Sequence, residues 1–207
     1  MATALNGDLP GAATVRDIDL ELTSGLVTVV TAAEERTRRN LLRLIASSCS
    51  LTSGHLVYRG PEGETDLAVA CARDVVAVRR RRIVCSILLR AAHPALSCAH
   101  AVAEIAHCTV DAAAAELAAL GHGHAVDLKA GDTRGSDRSV LAIAATLLHP
   151  APIVLVDLTN HTTVEVRERV TARARRGGAV LAVTDALLDG LPAGARTRLL
   201  TAEGRLL

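Results

Sequence analysis

Phenylalanine, tryptophan and glutamine do not occur in this chain of 207 residues, and Tyr58, Lys129 and Met1 are each the single residue of their kind. Without aromatic rings, which supply large buried areas in most cores, the interior has to be filled by alanine, valine, leucine and isoleucine. The same absence removes the stacking platforms that single-stranded nucleic acids use. An excess of one charge is lacking too: 23 Lys and Arg against 22 Asp and Glu leave a formal +1, so bulk charge indicates neither nucleic acid nor an anionic membrane as a partner. Long hydrophobic runs are absent, since His149, Pro150 and Pro152 break the most apolar stretch before it could span a bilayer. The opening MATALNGDLPGAAT has neither the basic start nor the apolar centre of a signal peptide. These absences predict a cytoplasmic protein without membrane insertion. The cysteines, Cys49, Cys71, Cys85, Cys98 and Cys108, are odd in number and form no CxxC pair, which excludes a disulfide framework and makes them small buried hydrophobes. No Ser/Gly/Pro-rich linker divides the chain, so residues 1–207 are expected to form a single domain.

What is present is organised around residues 139–157, SVLAIAATLLHPAPIVLVD. An apolar helical run meets a proline break, then a strand whose residues 153–156 are aliphatic without polar alternation, as burial on both faces requires. Asp157 ends that strand, where open α/β sheets place their ligands. It is either a site carboxylate or the cap of the following turn. Residues 26–30 and 179–183 read as further parallel central strands, and residues 18–22 with the turn Thr23-Ser24-Gly25 read as an edge hairpin feeding the first of them. Residues 83–89 suggest another buried strand, residues 51–70 two short strands about the turn at 59–63, and residues 198–207 a closing hairpin. Between the strands, residues 96–130 turn helical, with Thr109 or Asp111 as a cap and Gly121 as a stop. An α/β fold is expected: a mixed sheet with an antiparallel edge hairpin and an inserted helical lobe over about 96–138.

Strand 26–30, a nine-residue loop and the helix containing Leu41, Leu42, Leu44 and Ile45 have the layout of a phosphate-binding loop. The loop chemistry does not suit it, because residues 32–40 contain no glycine and no lysine, and a phosphate cradle needs both. Arg36, Arg38 and Arg39 at a helix amino terminus can hold an anion through guanidinium groups, or can pair with Glu34 and Glu35. The run Arg79-Arg80-Arg81-Arg82 reads as a solvated face. His100, Glu104, His107 and Cys108 are zinc-type donors on one helical face, but they span about 12 Å at 1.5 Å per residue, too far for one ion. No metal site is expected, and His122 and His124 in Gly-His-Gly-His read as a flexible loop.

The segments SGLVTVV, NLLRLIASSCSLTSGHLVYRG, DLAVACARDVVAVRR and SVLAIAATLLHPAPIVLVD, in this order, resemble the ATP-binding cassette (ABC) ATPases, which are P-loop NTPase-like proteins. ARDVVAVR and the Asp-Leu-Ala-Val before it are most similar to the L-subunit family of the carbon-phosphorus lyase system of phosphonate metabolism. The likeness covers about residues 15–205, and the first strand of the family, with its adenine-stacking aromatic, is expected to be missing. In the family's phosphate loop the two glycines fall at Ala32 and Thr37, the lysine at Arg38 and the magnesium-binding hydroxyl at Arg39 or Asn40. The magnesium-ligating glutamine falls at Ile87 or Leu88, and the signature motif at 134–138 with one glycine kept. The catalytic glutamate falls at Leu158, the loop after it at 162–164, and the switch histidine at Asp185. Only Asp157 survives. The resemblance thus implies ATP and magnesium as family cofactors, none firmly bound here, with Arg38, Arg39, Asn40 and Asp157 left to contact them and no catalytic residue. Since phosphoryl transfer depends on positioning and charge stabilisation, the expectation is a degenerate, non-hydrolysing pseudoenzyme acting as a scaffold for a protein partner or a second copy. The alternatives are an atypical ATPase using Arg38 and Asp157, and a relic without function.

Overall fold

The computed structural model describes residues 2–7, 15–186 and 194–207. Residues 8–14, within the stretch read as lacking a signal sequence, lie outside the described residues. The strands are β1 (Ala2–Gly7), β2 (Val15–Leu20), β3 (Val27–Thr31), β4 (Ser53–Gly60), β5 (Gly63–Asp66), β6 (Ile83–Cys85), β7 (Ile153–Asp157), β8 (Ala179–Thr184) and β9 (Arg196–Leu199). The α-helices are α1 (Glu35–Ile45), α2 (Ala72–Arg82), α3 (Cys98–Ala106), α4 (Val110–Ala119), α5 (Ser136–Leu148) and α6 (Val164–Arg175).

Five strands form a parallel sheet in the order β6-β7-β8-β3-β9, with Val154 opposite Val180 and Val29 opposite Ala182. Successive side chains of a strand point to opposite faces, and both faces of this sheet are covered. Val27, Val29, Val154, Val156, Val180 and Ala182 pack with Val102, Leu117, Ile143 and Val170 from four helices. Val30, Leu155, Leu181 and Val183 pack on the other face with Leu41, Leu42, Leu44 and Ile45 of α1. Double coverage explains the unbroken apolar runs, and the largest fully buried side chains are leucines and isoleucines, as the lack of aromatics requires. The helical lobe is present between β6 and β7, and its Val102 and Leu117 share one buried cluster with the sheet.

The second sheet is antiparallel, in the order β2-β1-β4-β5, and Tyr58 stands on its β4–β5 hairpin opposite Thr65. Here the structure differs from the sequence reading. A strand does precede residue 15: β1 pairs with both β2 and β4. β2 and β3 do not pair as a hairpin; the turn at residues 23–25 passes the chain from one sheet to the other, and Ile18 and Leu20 are buried in a cluster shared with α1 and with Val30 of β3. β6 is shorter than the 83–89 run, because the parallel ladder to β7 ends at Cys85 and a 3-10 turn occupies Ser86–Leu88. The closing hairpin is formed, Leu199 and Leu207 exchanging backbone hydrogen bonds of 3.2 and 2.8 Å.

Thr109 rather than Asp111 caps α4, its hydroxyl accepting from the Ala112 N–H at 3.2 Å; Ser97 and Thr163 do the same for α3 and α6. The arginine run is the last turn of α2, where cations suit the helix dipole, and α2 buries none of its residues. The cysteine reading holds for Cys85 and Cys98, which are buried, but not for Cys71, which is exposed. No helix among the described residues is long and apolar enough to cross a membrane.

Candidate functional site

The corner between β3 and α1 decides what the phosphate-loop position can do. α1 begins at Glu35, so only Ala32, Ala33 and Glu34 separate strand from helix. A phosphate cradle requires a longer non-helical loop whose successive N–H groups face the anion. Thr37, at the second family glycine, is already in the first turn of α1 and buried. Arg38, at the lysine position, is only 2 % exposed and turns back under the loop. Its Nη1 donates to the Ala32 carbonyl and, at 2.8 Å, to the Ala33 carbonyl. The loop therefore offers its carbonyls inward to a cation from its own chain. The Arg38 Nε is buried and has no hydrogen-bond partner among the described residues.

The neighbouring positions divide between interior and surface. Asn40 is buried. Arg39 is half-exposed and forms an i, i+4 ion pair with Glu35 at 3.0 Å. Glu34 precedes the helix with no side-chain cap of its own backbone and accepts from the Thr37 hydroxyl at 3.4 Å. Of the loop residues singled out from the sequence, Arg38 and Asn40 are buried while Glu34, Glu35, Arg36 and Arg39 are exposed, and the Arg39 charge is partly matched by Glu35.

Asp157 stands at the carboxyl end of β7, as expected. Its Oδ1 accepts from the Thr159 hydroxyl at 2.6 Å and the Thr159 N–H at 3.0 Å, so it caps the following turn. Its backbone N–H donates to the Ser86 hydroxyl at 2.9 Å, which ties the end of β7 to the 3-10 turn after β6. Ser86 is a positioning group hidden in the sequence by the apolar run around it. Cys85, next to it, is no nucleophile: burial pushes its thiol up to about 12.

A cleft of about 910 Å³ connects these positions, lined among others by Glu35, Arg39, Arg90, Arg138, Asp157 and His161. Arg39 and Asp157 are thus brought to one cleft, while Arg38 and Asn40 lie beneath it. His161, which no sequence signal marked, is buried on the loop after β7. Burial first, then His122, hold its imidazole below the ordinary range, and the Asp157 carboxylate opposes them. Gly135, which the resemblance places in the signature, has φ 55° and precedes α5. Ile87, which with Leu88 is one of the two positions the resemblance offers for the glutamine, lines the cleft with a side chain that cannot ligate magnesium. The four zinc-type donors on the α3 stretch do not converge: His100 bonds Ser97, and His107, in the left-handed conformation that ends α3, meets the ring of His149 at 5.6 Å.

No family model matches the chain, and no curated protein matches its sequence. Solved structures do match. The bacterial ABC transporter cassette MJ0796, solved as a dimer, superposes with a TM-score of 0.71 at 16 % identity, over 99 % of this chain and 95 % of that one. A proposed ABC transporter ATP-binding protein from Pyrococcus furiosus gives 0.71 at 14 % identity over 96 % of each chain. The cbiO1 protein of Clostridium perfringens, part of the ABC transporter complex cbiONQ, gives 0.62 at 15 % identity over 100 % of this chain and 85 % of that one. At such identities what is shared is the fold, and the fold of this chain is that of the ABC-type ATP-binding cassettes, an α/β, P-loop NTPase-like architecture.

Proposed function

We propose that the chain is an ABC-type cassette domain spanning residues 1–207 that has lost hydrolysis and acts by binding a partner chain or a second copy of itself. The observation that carries this reading is the Arg38 side chain beneath the β3–α1 corner, where it bonds to the Ala32 and Ala33 carbonyls. An anion in that space would meet carbonyl oxygens in place of N–H donors. Association is favoured by the likeness to a cassette solved as a dimer. Within the family the reading extends to a role beside a phosphonate-processing complex, supported by the segment ARDVVAVR on helix α2, which exposes Val76 while Val75 and Val78 pack inward. Co-purification with a reconstituted carbon-phosphorus lyase complex, lost when Val76 and Arg80 on that helix are replaced, tests the extension.

Titration with magnesium-ATP at physiological salt should show no saturable binding below about 100 μM, where the binding free energy falls to roughly 5.5 kcal/mol. Phosphate release should be equal for the wild type and Asp157→Asn. A second reading, an atypical nucleotide-binding subunit, is favoured by one observation, the convergence of Arg39, Arg90 and Arg138 with Asp157 on one cleft. Calorimetric saturation at low micromolar ATP, abolished by Arg39→Ala, would establish it in place of the first.

A further inference from the structure

His122 and His124 do not form the flexible loop that Gly-His-Gly-His suggests. His122 follows the end of α4 and precedes a 3-10 turn, Gly123–Ala125, which carries His124. Asp137 lies in the first turn of α5, within the stretch aligned with the family signature. The three side chains meet there. His122 Nδ1 is 3.0 Å and His124 Nε2 is 3.4 Å from Asp137 Oδ1, and the two rings stand 5.4 Å apart. One ligand atom from each residue lies within 4.8 Å of the other two, and among the described residues no other group of three such donors is gathered this way.

We propose that His122, His124 and Asp137 form a binding site for one divalent transition-metal ion of the zinc class. The first argument is geometric. Ligand atoms 2.0–2.2 Å from a tetrahedral ion stand about 3.3–3.6 Å from one another, and the two nitrogen-to-oxygen distances, 3.0 and 3.4 Å, lie in or just below that range. The two imidazole nitrogens lie within 4.8 Å of each other, so an ion entering between the donors draws the rings together. The second is chemical. Two imidazoles and a carboxylate are borderline donors of the kind zinc takes, whereas magnesium and calcium call for oxygen ligands. The third is burial. His122 and Asp137 are 20 % and 28 % exposed while His124 is 61 % exposed, so the site has a fixed inner pair and an accessible outer ligand through which an ion can enter. Three protein ligands leave a fourth position for water or for a donor from a binding partner. The bound ion would join the end of α4 to the start of α5.

Without an ion, the two imidazoles can share Asp137 Oδ1 as a hydrogen-bond acceptor, and this ordinary ionic cluster is the reading to be excluded. Full-length protein stripped of metal is titrated with zinc against a chromophoric chelator, and with cobalt(II) for its visible spectrum. The wild type should take up one zinc per chain more tightly than micromolar, with a four-coordinate cobalt spectrum free of sulfur charge-transfer bands. His124→Ala, on the outer residue that folding does not need, and Asp137→Asn should each weaken zinc by at least about 100-fold. His100→Ala, at an exposed position of α3 outside the cluster, should leave binding unchanged. Absence of saturable zinc binding, retention of affinity in both site variants, or a thiolate band from Cys98 or Cys108 would each overturn the site. Binding of ATP or of a partner does not enter any of these readouts.

Discussion

Arg38 sets two opposed terms against each other. Its guanidinium is desolvated and leaves Nε without a hydrogen-bond partner among the described residues, a cost that can exceed what the contacts return. Its Nη1 nevertheless holds the carbonyls of Ala32 and Ala33, and a buried carbonyl stripped of its donor costs about 1–3 kcal/mol. Arg38→Ala both exposes that deficit and opens a cavity, so the protein should lose about 2–4 kcal/mol, read as a lower urea midpoint at constant m. Arg38→Met fills the volume and removes the buried charge, so the two terms should nearly cancel. If alanine and methionine cost the same, the space rather than the carbonyls is what Arg38 serves. Neither variant should gain nucleotide affinity, because only three residues remain between β3 and α1.

Elements are clasped by a pair that nothing in the sequence announces. Glu116 on α4 is 2 % exposed and receives both Nε, at 3.0 Å, and Nη2 of Arg169 on α6, and the bidentate contact holds the Arg169 charge on its side chain. Removing one partner of such a pair leaves an uncompensated buried charge and costs about 3–5 kcal/mol, whereas replacing both with apolar groups is often neutral. Arg169→Met should therefore lower the denaturation midpoint strongly, and Glu116→Leu with Arg169→Met should restore most of it. Equal losses in the single and double variants would mean that the clasp is packing alone. Such pairs show how far the sequence could be read. The strands at 27–31, 153–157 and 179–184 were legible because covered faces demand uninterrupted aliphatic residues, and a cap for α4 was legible as local chemistry, with Thr109 and Asp111 both open. The sheet change between β2 and β3, the Glu116–Arg169 clasp and the gathering of His122, His124 and Asp137 depend on contacts between distant parts of the chain. The lack of glycine and lysine in residues 32–40 was visible in the composition; the turning of Arg38 beneath the β3–α1 corner was not.

For the molecule as a whole, acid should act through His149, at the end of α5. Its Nδ1 accepts the Ala151 N–H at 3.1 Å, which requires the neutral ring. Burial, then His107, then the Arg173 guanidinium hold its pKa below the ordinary 6.5. The folded state thus binds fewer protons than the unfolded chain between that lowered value and 6.5, and stability rises with pH in this window. The melting temperature should fall as pH drops from about 7 through 6.5 toward 5, and His149→Asn should flatten part of that slope. An unchanged slope would place the acid sensitivity elsewhere.

The single tyrosine, on the β4–β5 hairpin, also determines what light can report. With no tryptophan or phenylalanine in the chain, near-ultraviolet absorption and emission come from Tyr58, which is partly buried against the cluster beneath the antiparallel sheet. The parallel sheet and its helices are optically silent in that range and are followed by far-ultraviolet dichroism instead. Near-ultraviolet traces therefore watch the surroundings of the β4–β5 hairpin and far-ultraviolet traces the whole backbone, and coincident curves would mean that the hairpin melts with the rest as a single cooperative unit.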